Sequence, residues 1–289
     1  MFGAAMKICI SYFTFLVGFG YAFSKQKTVA EGLHRSFNLL VQFWLLLFLV
    51  FIPLYLIDFD GEISFYQVLV NMFGLESDLH HFSWYLYYYI YAMLVMPYAS
   101  IIIDRYGWKA VLGLITLTYG WEIIIHAIPN YNANIFTQAI FDCLFNSPLL
   151  FLGYYMAKYN IYAKIPLQKK HTFPLIFLFI LGIIAAVFKR VFFGFMLDFF
   201  YIPVIMFSIV GIFTLYDLKP IRFTLSKLGD MSMPMWFIHA VFIMPFATIA
   251  FVTDWTAGNP WLKFSVVAPL SFILALIYDK ITKPIVKRI

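Results

Sequence analysis

Charge is scarce in this chain. Of its 289 residues only 12% are Asp, Glu, Lys or Arg, about half the share found in an ordinary globular domain. So few ionised groups cannot cover a water-soluble surface, which excludes a soluble enzyme or binding module. Cysteine is nearly absent. Cys9 and Cys143 both sit in apolar segments, so neither a disulfide framework nor a CxxC metal site is expected. Several catalytic signatures are also missing. There is no GxxxxGK[ST] loop, no HExxH helix and no GxSxG elbow, which argues against an ATPase, a zinc protease and a serine hydrolase. No internal repeat, low-complexity linker or nucleic-acid motif interrupts the chain, and no basic stretch precedes the apolar run at Met1. That run therefore reads as a membrane helix and not as a cleaved signal.

What is present is apolar surface. The chain is 63% apolar and 21% aromatic, with mean hydropathy +0.87. The apolar residues come in runs of about 20, the length that crosses a hydrocarbon core of roughly 30 Å. Nine spans are expected: Phe2–Phe23, Leu39–Ile57, Phe82–Ile103, Ala110–Ile128, Phe136–Met156, Phe173–Val187, Met196–Tyr216, Met231–Val252 and Leu262–Tyr278. Ile63–Leu75 is too short to span and belongs at the interface or in a re-entrant turn. The fold class is all-α, a polytopic integral membrane helical bundle with residues 1–289 forming one transmembrane domain.

The basic residues orient it. With the N-terminus outside, 16 of the 20 Lys and Arg residues fall on the inner side and only Lys7, Lys189, Arg190 and Lys263 on the outer. This is a strong positive-inside asymmetry, and it puts the C-terminus in the cytoplasm. The net charge of +6 thus points to cytoplasmic loops and not to nucleic acid. Pro97, Pro148, Pro203, Pro245 and Pro269 fall inside spans, where each removes a helix hydrogen bond and introduces a kink.

Ionisable groups at membrane depth are costly and mark candidate sites. Glu122 and His126 share one helix face, as do Asp142 and Asn146. Glu122 lies six residues before the outer end of its span and Asp142 six after the outer start of the next. Both therefore sit about 9 Å deep, either as a functional cluster or as a mutually satisfied structural pair. His239 lies eight residues into an outward-running span, where a lone histidine is a catalyst or a hydrogen-bonded structural residue. His80 and His81 precede Ser83-Trp84-Tyr85, an interfacial aromatic belt by position and a weak metal signal. Lys7 can snorkel outward. Arg35 and His34 sit at an inner span end, where an anionic headgroup or phosphate can reach them.

Four stretches together resemble the membrane-bound acyltransferase-3 family. They are Cys9-Ile10-Ser11-Tyr12-Phe13 to Gly18-Phe19-Gly20-Tyr21, Ser83-Trp84-Tyr85-Leu86 followed by Pro97, Phe151-Leu152-Gly153-Tyr154-Tyr155-Met156-Ala157-Lys158, and Leu228-Gly229-Asp230-Met231-Ser232-Met233-Pro234-Met235-Trp236-Phe237-Ile238-His239. The last is similar to the family's Leu-Gly-x-x-Ser-x-x-x-Trp-Leu-x-His signature. Family members are multi-helix bacterial proteins that O-acylate sugars of envelope glycans. They usually have ten spans, both ends cytoplasmic, and an essential His on the first helix. This chain begins at what resembles the second helix, so that His has no counterpart. The chain is then a truncated gene model, a degenerate copy, or an enzyme in which another His serves. Arg35 resembles one of the family's paired arginines, and Asn38 stands three residues later.

The resemblance implies transfer of an acyl group, most commonly acetyl, from cytoplasmic acyl-CoA to a hydroxyl of an extracytoplasmic sugar or polysaccharide at the bacterial cell membrane. It implies no tightly bound cofactor, no metal, and the lipid bilayer and the glycan as partners. His239 is the preferred surviving catalytic residue, with Glu122, His126 and Asp142 toward the acceptor. Arg35 and His34 are expected at the CoA, with Lys25 and Lys27 as looser aids. Trp84, Tyr85, Trp236 and Asn146 are expected at the substrate. Two alternatives remain open: a non-enzymatic flippase for a lipid-linked sugar, coupled to protons through Glu122 and Asp142, and an inactive paralogue acting as an interaction partner.

Overall fold

The computed structural model of the protein describes residues 8–59, 62–76, 78–80, 83–130, 134–192, 198–216, 218–244, 246–256 and 258–286, with residues 8, 9 and 189–192 described by backbone alone. Lys7, His81, Pro245 and the side chains of Cys9, Lys189 and Arg190 lie outside the described residues. So do the expected span starts Phe2, Phe82 and Met196.

The fold is all-α, and the described residues contain no strand. In chain order the helices are α1 (Ile8–Ala22), α2 (Val29–Asp58), α3 (Phe65–Met72), α4 (Tyr85–Tyr106), α5 (Trp108–His126), α6 (Ile135–Lys158), α7 (Thr172–Phe192), α8 (Asp198–Leu215), α9 (Lys219–Asp230), α10 (Ser232–Ile243) and α11 (Pro260–Val286). Among the described residues, seven helices are long and apolar enough to cross a membrane: α2, α4, α5, α6, Lys169–Phe188, α8 and α11. The protein is a multi-pass membrane protein. The other two expected spans correspond to shorter apolar helices, Ile10–Ala22 and Ser232–Ile243.

Local chemistry explains several boundaries. Met231–Val252 was expected as one span, but α10 stops at Ile243. Met244 is extended, with ψ 150°, because the ring of the following proline disfavours helical backbone in the residue before it. Pro53 acts differently. It lacks the N–H that Leu49 would accept, and the chain absorbs this with a π-helical turn at Leu47–Phe51, so α2 continues to Asp58. Asn134 caps α6 by accepting from the Phe136 and Thr137 amides. Asn259 caps α11 in the same way, just before Pro260 at the first helical position. Pro97, Pro148, Pro203 and Pro269 all lie inside helices.

The chain divides into two compact units, and the division falls within α2 and α4 and after the first residue of α9. Unit 1 is Met1–Gly32 with Tyr91–Lys219. Here α1 runs along α6, α5 also packs on α6, and α7 packs on α8. The α1–α6 contact is backbone to backbone. A Cβ at Gly18 would meet the Leu150 carbonyl oxygen at 1.9 Å, and one at Gly153 would meet the Phe15 carbonyl oxygen at 2.1 Å. Small residues let membrane helices approach this closely. Phe15, Leu149, Tyr162, Tyr201, Ile202 and Ile205 fill the adjoining core. Outward faces stay apolar, as at Phe173, Phe177, Ile180 and Ile184 on α7, which suits lipid and not water.

Unit 2 is Leu33–Ile90 with Pro220–Ile289. Its core joins α2, α10 and α11 through Phe43, Leu47, Phe51, Phe237, Phe246 and Ala275. Three polar ties reinforce it. Trp44 donates its indole N–H to the Met72 carbonyl at 2.8 Å. The Thr248 amide donates to Asp58 at 3.1 Å, and the Tyr278 hydroxyl donates to the Gln42 carbonyl. Helix α3, at eight residues, is too short to cross a bilayer. Ser64 caps it, and Asp78 accepts from Gln67 and Asn71, folding the following loop back onto it.

Candidate functional site

Unit 2 gathers the aromatic candidates together with His34 and His239. On α10, His239 Nδ1 lies 2.5 Å from the Trp236 carbonyl oxygen. A carbonyl can only accept, so Nδ1 carries the hydrogen, and in the neutral ring the lone pair is on Nε2. This is the arrangement a general base needs. Trp236, one turn earlier, meets Tyr85 edge-on with ring centroids 5.6 Å apart, and Trp84 meets Tyr85 edge-on at 5.8 Å. Trp84, Tyr85 and Trp236, all expected at the substrate, therefore form one aromatic group beside His239.

The sequence reading underrated His80. It is 0% exposed and its Nε2 donates to the Phe237 carbonyl at 3.1 Å. Phe51, placed by the π turn of α2, lies 4.5 Å away edge-on, and Phe43 and Trp236 lie at 5.3 and 6.3 Å. Both histidines thus bond consecutive carbonyls of α10, one from within the helix and one from the loop after α3. From the sequence, His80 and His81 carry only a weak metal signal next to the Trp84 and Tyr85 belt. The signal that finds it is the run of aromatic residues on α2 able to enclose it.

His34 and Arg35 share the first part of α2. His34 is exposed and pairs with Asn38, one turn on, at 3.1 Å. Arg35 is half-buried and within electrostatic reach of the Tyr89 phenol on α4. A guanidinium there is a suitable donor to phosphate oxygens.

Unit 1 holds the remaining candidates. Glu122 on α5 is 1% exposed, and neither carboxyl oxygen has a hydrogen-bond partner. A mutually satisfied pair with Asp142 is thereby ruled out. His126, one turn on, is exposed and meets Phe141 edge-on at 5.7 Å, one residue from Asp142. Asn146 is buried and turns back on its own helix, donating to the Asp142 carbonyl at 2.8 Å. Tyr119 lies within electrostatic reach of both Glu122 and Asp198. Asp198 in turn accepts from Ser11 and Tyr201. Among the described residues no group of three or more His, Cys, Asp or Glu side chains converges on a metal site.

The other end of unit 1 carries a network that sequence reasoning missed. Tyr154 is wholly buried; its hydroxyl donates to Asp104 at 2.9 Å and accepts from the Lys27 ammonium at 3.0 Å. Lys158 pairs with the second Asp104 oxygen at 2.8 Å. Burial first, and then the neighbouring Lys158 charge, holds the Lys27 amine below its ordinary range, against the pull of Asp104. Tyr162, after α6, has its phenol pushed upward by burial.

A family description of an acyltransferase domain, acyltransferase-3, matches residues 1–280. The chain belongs to the acyltransferase-3 family. No curated protein and no solved structure matches it. The acyltransferase-3 match spans both units and includes α10 with His239, the aromatic group, Arg35 and Glu122. Acyl transfer to a hydroxyl needs a base for the hydroxyl proton and cations for an anionic donor. Unit 2 has a residue of each kind in His239 and Arg35.

Proposed function

We propose that this protein is an O-acyltransferase of the bacterial plasma membrane, taking an acyl group, most simply acetyl, from acyl-CoA on the cytoplasmic side to a hydroxyl of an extracytoplasmic sugar or polysaccharide. The observation that carries this reading is the orientation of His239, whose Nδ1 is fixed on the Trp236 carbonyl. Nε2 takes the hydroxyl proton while the oxygen attacks the thioester carbon. The C–O bond forms, the C–S bond breaks, and the departing thiolate takes the proton back from Nε2. Trp84 and Trp236, held against the buried Tyr85, offer a sugar the aromatic faces it stacks on. Arg35, with His34 one residue before it, serves the CoA phosphates. Unit 1 has its own polar candidates in Glu122, His126, Asp142 and Asn146.

The test is acyl transfer from radiolabelled acetyl-CoA by the full chain in proteoliposomes, with lipid-linked sugars as acceptors. His239→Ala is expected to lower turnover by about 10²–10⁴-fold with the protein still folded. Arg35→Gln is expected to raise the KM for acetyl-CoA more than it lowers kcat. Wild-type rates in both variants would refute the assignment. The unpartnered Glu122 favours a second reading, a proton-coupled carrier of a lipid-linked sugar. Movement of the sugar without consumption of acyl-CoA would establish that reading instead.

A further inference from the structure

Helix α9 is unlike the other helices among the described residues. All 12 of its residues, Lys219–Asp230, are exposed and none is buried. At 1.5 Å per residue it is about 18 Å long, too short to cross a core of about 30 Å. A helix of this length is marginal in water on its own, so its stability points to a surface that it lies on.

Its sequence describes that surface. Ile221, Leu225 and Leu228 are spaced four and three apart and form one stripe, and each is left substantially exposed. At 100° per residue Lys219, Phe223, Ser226, Lys227 and Asp230 fall on the opposite side, with Arg222 on a flank. Lys227 lies over the Phe223 ring at 5.8 Å. Three basic residues stand against one acidic residue, Asp230. On one side α8, which is long and apolar enough to cross a membrane, ends at Leu215, and on the other the shorter apolar α10 begins at Ser232. The short α3 is a useful contrast. It buries Val70 and Asn71 against the protein and contains no basic residue.

We infer that α9 is an interfacial helix, seated with Ile221, Leu225 and Leu228 in the acyl region of the bilayer and its lysines and arginine on anionic lipid headgroups. A short apolar stripe beneath a basic face is the pattern that lies in the plane of a membrane, and long basic side chains reach up to the phosphates. This rests on α8 crossing the bilayer and not on the acyl-transfer chemistry, so either can fail alone.

The test uses the full chain in vesicles of phosphatidylcholine, with and without phosphatidylglycerol. In a Cys9→Ser background, Leu225→Cys and Ser226→Cys are each labelled with an environment-sensitive dye; the remaining Cys143 is buried. Lipids carrying a nitroxide high on the acyl chain are expected to quench the dye at 225 about twofold more than at 226. Phosphatidylglycerol should increase that difference, and the triple change Lys219→Gln, Arg222→Gln, Lys227→Gln should remove the increase. Hydrogen exchange of the unlabelled chain provides a second measurement, with residues 219–230 expected to exchange more slowly in the anionic vesicles. Equal quenching at both positions, or exchange that ignores lipid composition, overturns the inference. Slow exchange without quenching would mean that a protein covers the helix, and overturns it too.

Discussion

The two ends of α5 treat buried polar groups in opposite ways. Near its start, unit 1 holds the Tyr154 hydroxyl, which is wholly buried, yet has Asp104 to donate to and Lys27 to accept from, while Lys158 balances the second carboxylate oxygen. Near its end, 14 residues on from Trp108 and about 21 Å along the axis, Glu122 is just as buried and has no partner for either oxygen. A buried polar atom without a hydrogen bond costs roughly 1–3 kcal/mol, and more if it is charged. The first arrangement is what a fold does to hold itself together. The second has no hydrogen bond to offset that cost, and an ionisable group so placed in a membrane helix is a candidate for function.

The sharpest way to break this contrast is to remove function at one end and stability at the other. Glu122→Gln is expected to lower turnover, or sugar movement if that is the activity, by about 10²-fold while leaving thermal unfolding unchanged. Parallel activity and melting measurements decide it, and a fall in melting temperature with full activity would reverse the assignment. Next in size is Tyr154→Phe, which leaves Asp104 and Lys27 without their shared partner. It is expected to cost about 1–2 kcal/mol, read as a lower unfolding midpoint, with kcat unaffected. Smaller still is Glu122→Leu, which replaces the orphan with an apolar side chain of similar length. It should stabilise the fold by about 1 kcal/mol, read as a higher unfolding midpoint, even as activity is lost. The smallest effect concerns Lys27. Its amine is held below the ordinary 10.5, so the unfolded chain binds that proton more tightly than the folded one. Stability should therefore rise with pH through the alkaline window that ends at 10.5. Comparing wild type with Lys27→Gln isolates the increment, which the variant should lack.

The sequence made the membrane helices plain because their cause is local. Runs of about 20 apolar residues have few other uses, and α4, α5, α6 and α8 follow the expected spans closely, while α2 begins ten residues before the expected Leu39 and α11 ends eight after the expected Tyr278. What periodicity could not reveal was less local. The π turn at Leu47–Phe51 lies in a stretch that is apolar on every side, so a shift in helical register left no trace in the pattern. The end of α10 was misjudged because apolar length outweighed a single proline signal. For Glu122 and His126, four-residue spacing fixed a common face and nothing more. His126 ends the helix and is exposed, while Glu122 lies a turn deeper. His239, Trp236, Trp84 and Tyr85 were found from motif order, and the fold brings the three rings together. The Asp104–Tyr154 link joins residues 50 positions apart, and no local pattern announces it.

The close contact of α1 with α6 sets an order of assembly. Gly18 rests on the carbonyl of Leu150, and Gly153 on that of Phe15, so each helix completes the surface of the other. Ribosomes add about 5–20 residues each second, and roughly 130 residues separate the two glycines. The earlier helix therefore waits on the order of ten seconds in lipid before its partner has been made. Until then its polar Ser11 and bare glycine face have to be shielded by lipid or by the insertion machinery. Helix α1 in this way reaches its place only after the helices up to α6 have been made.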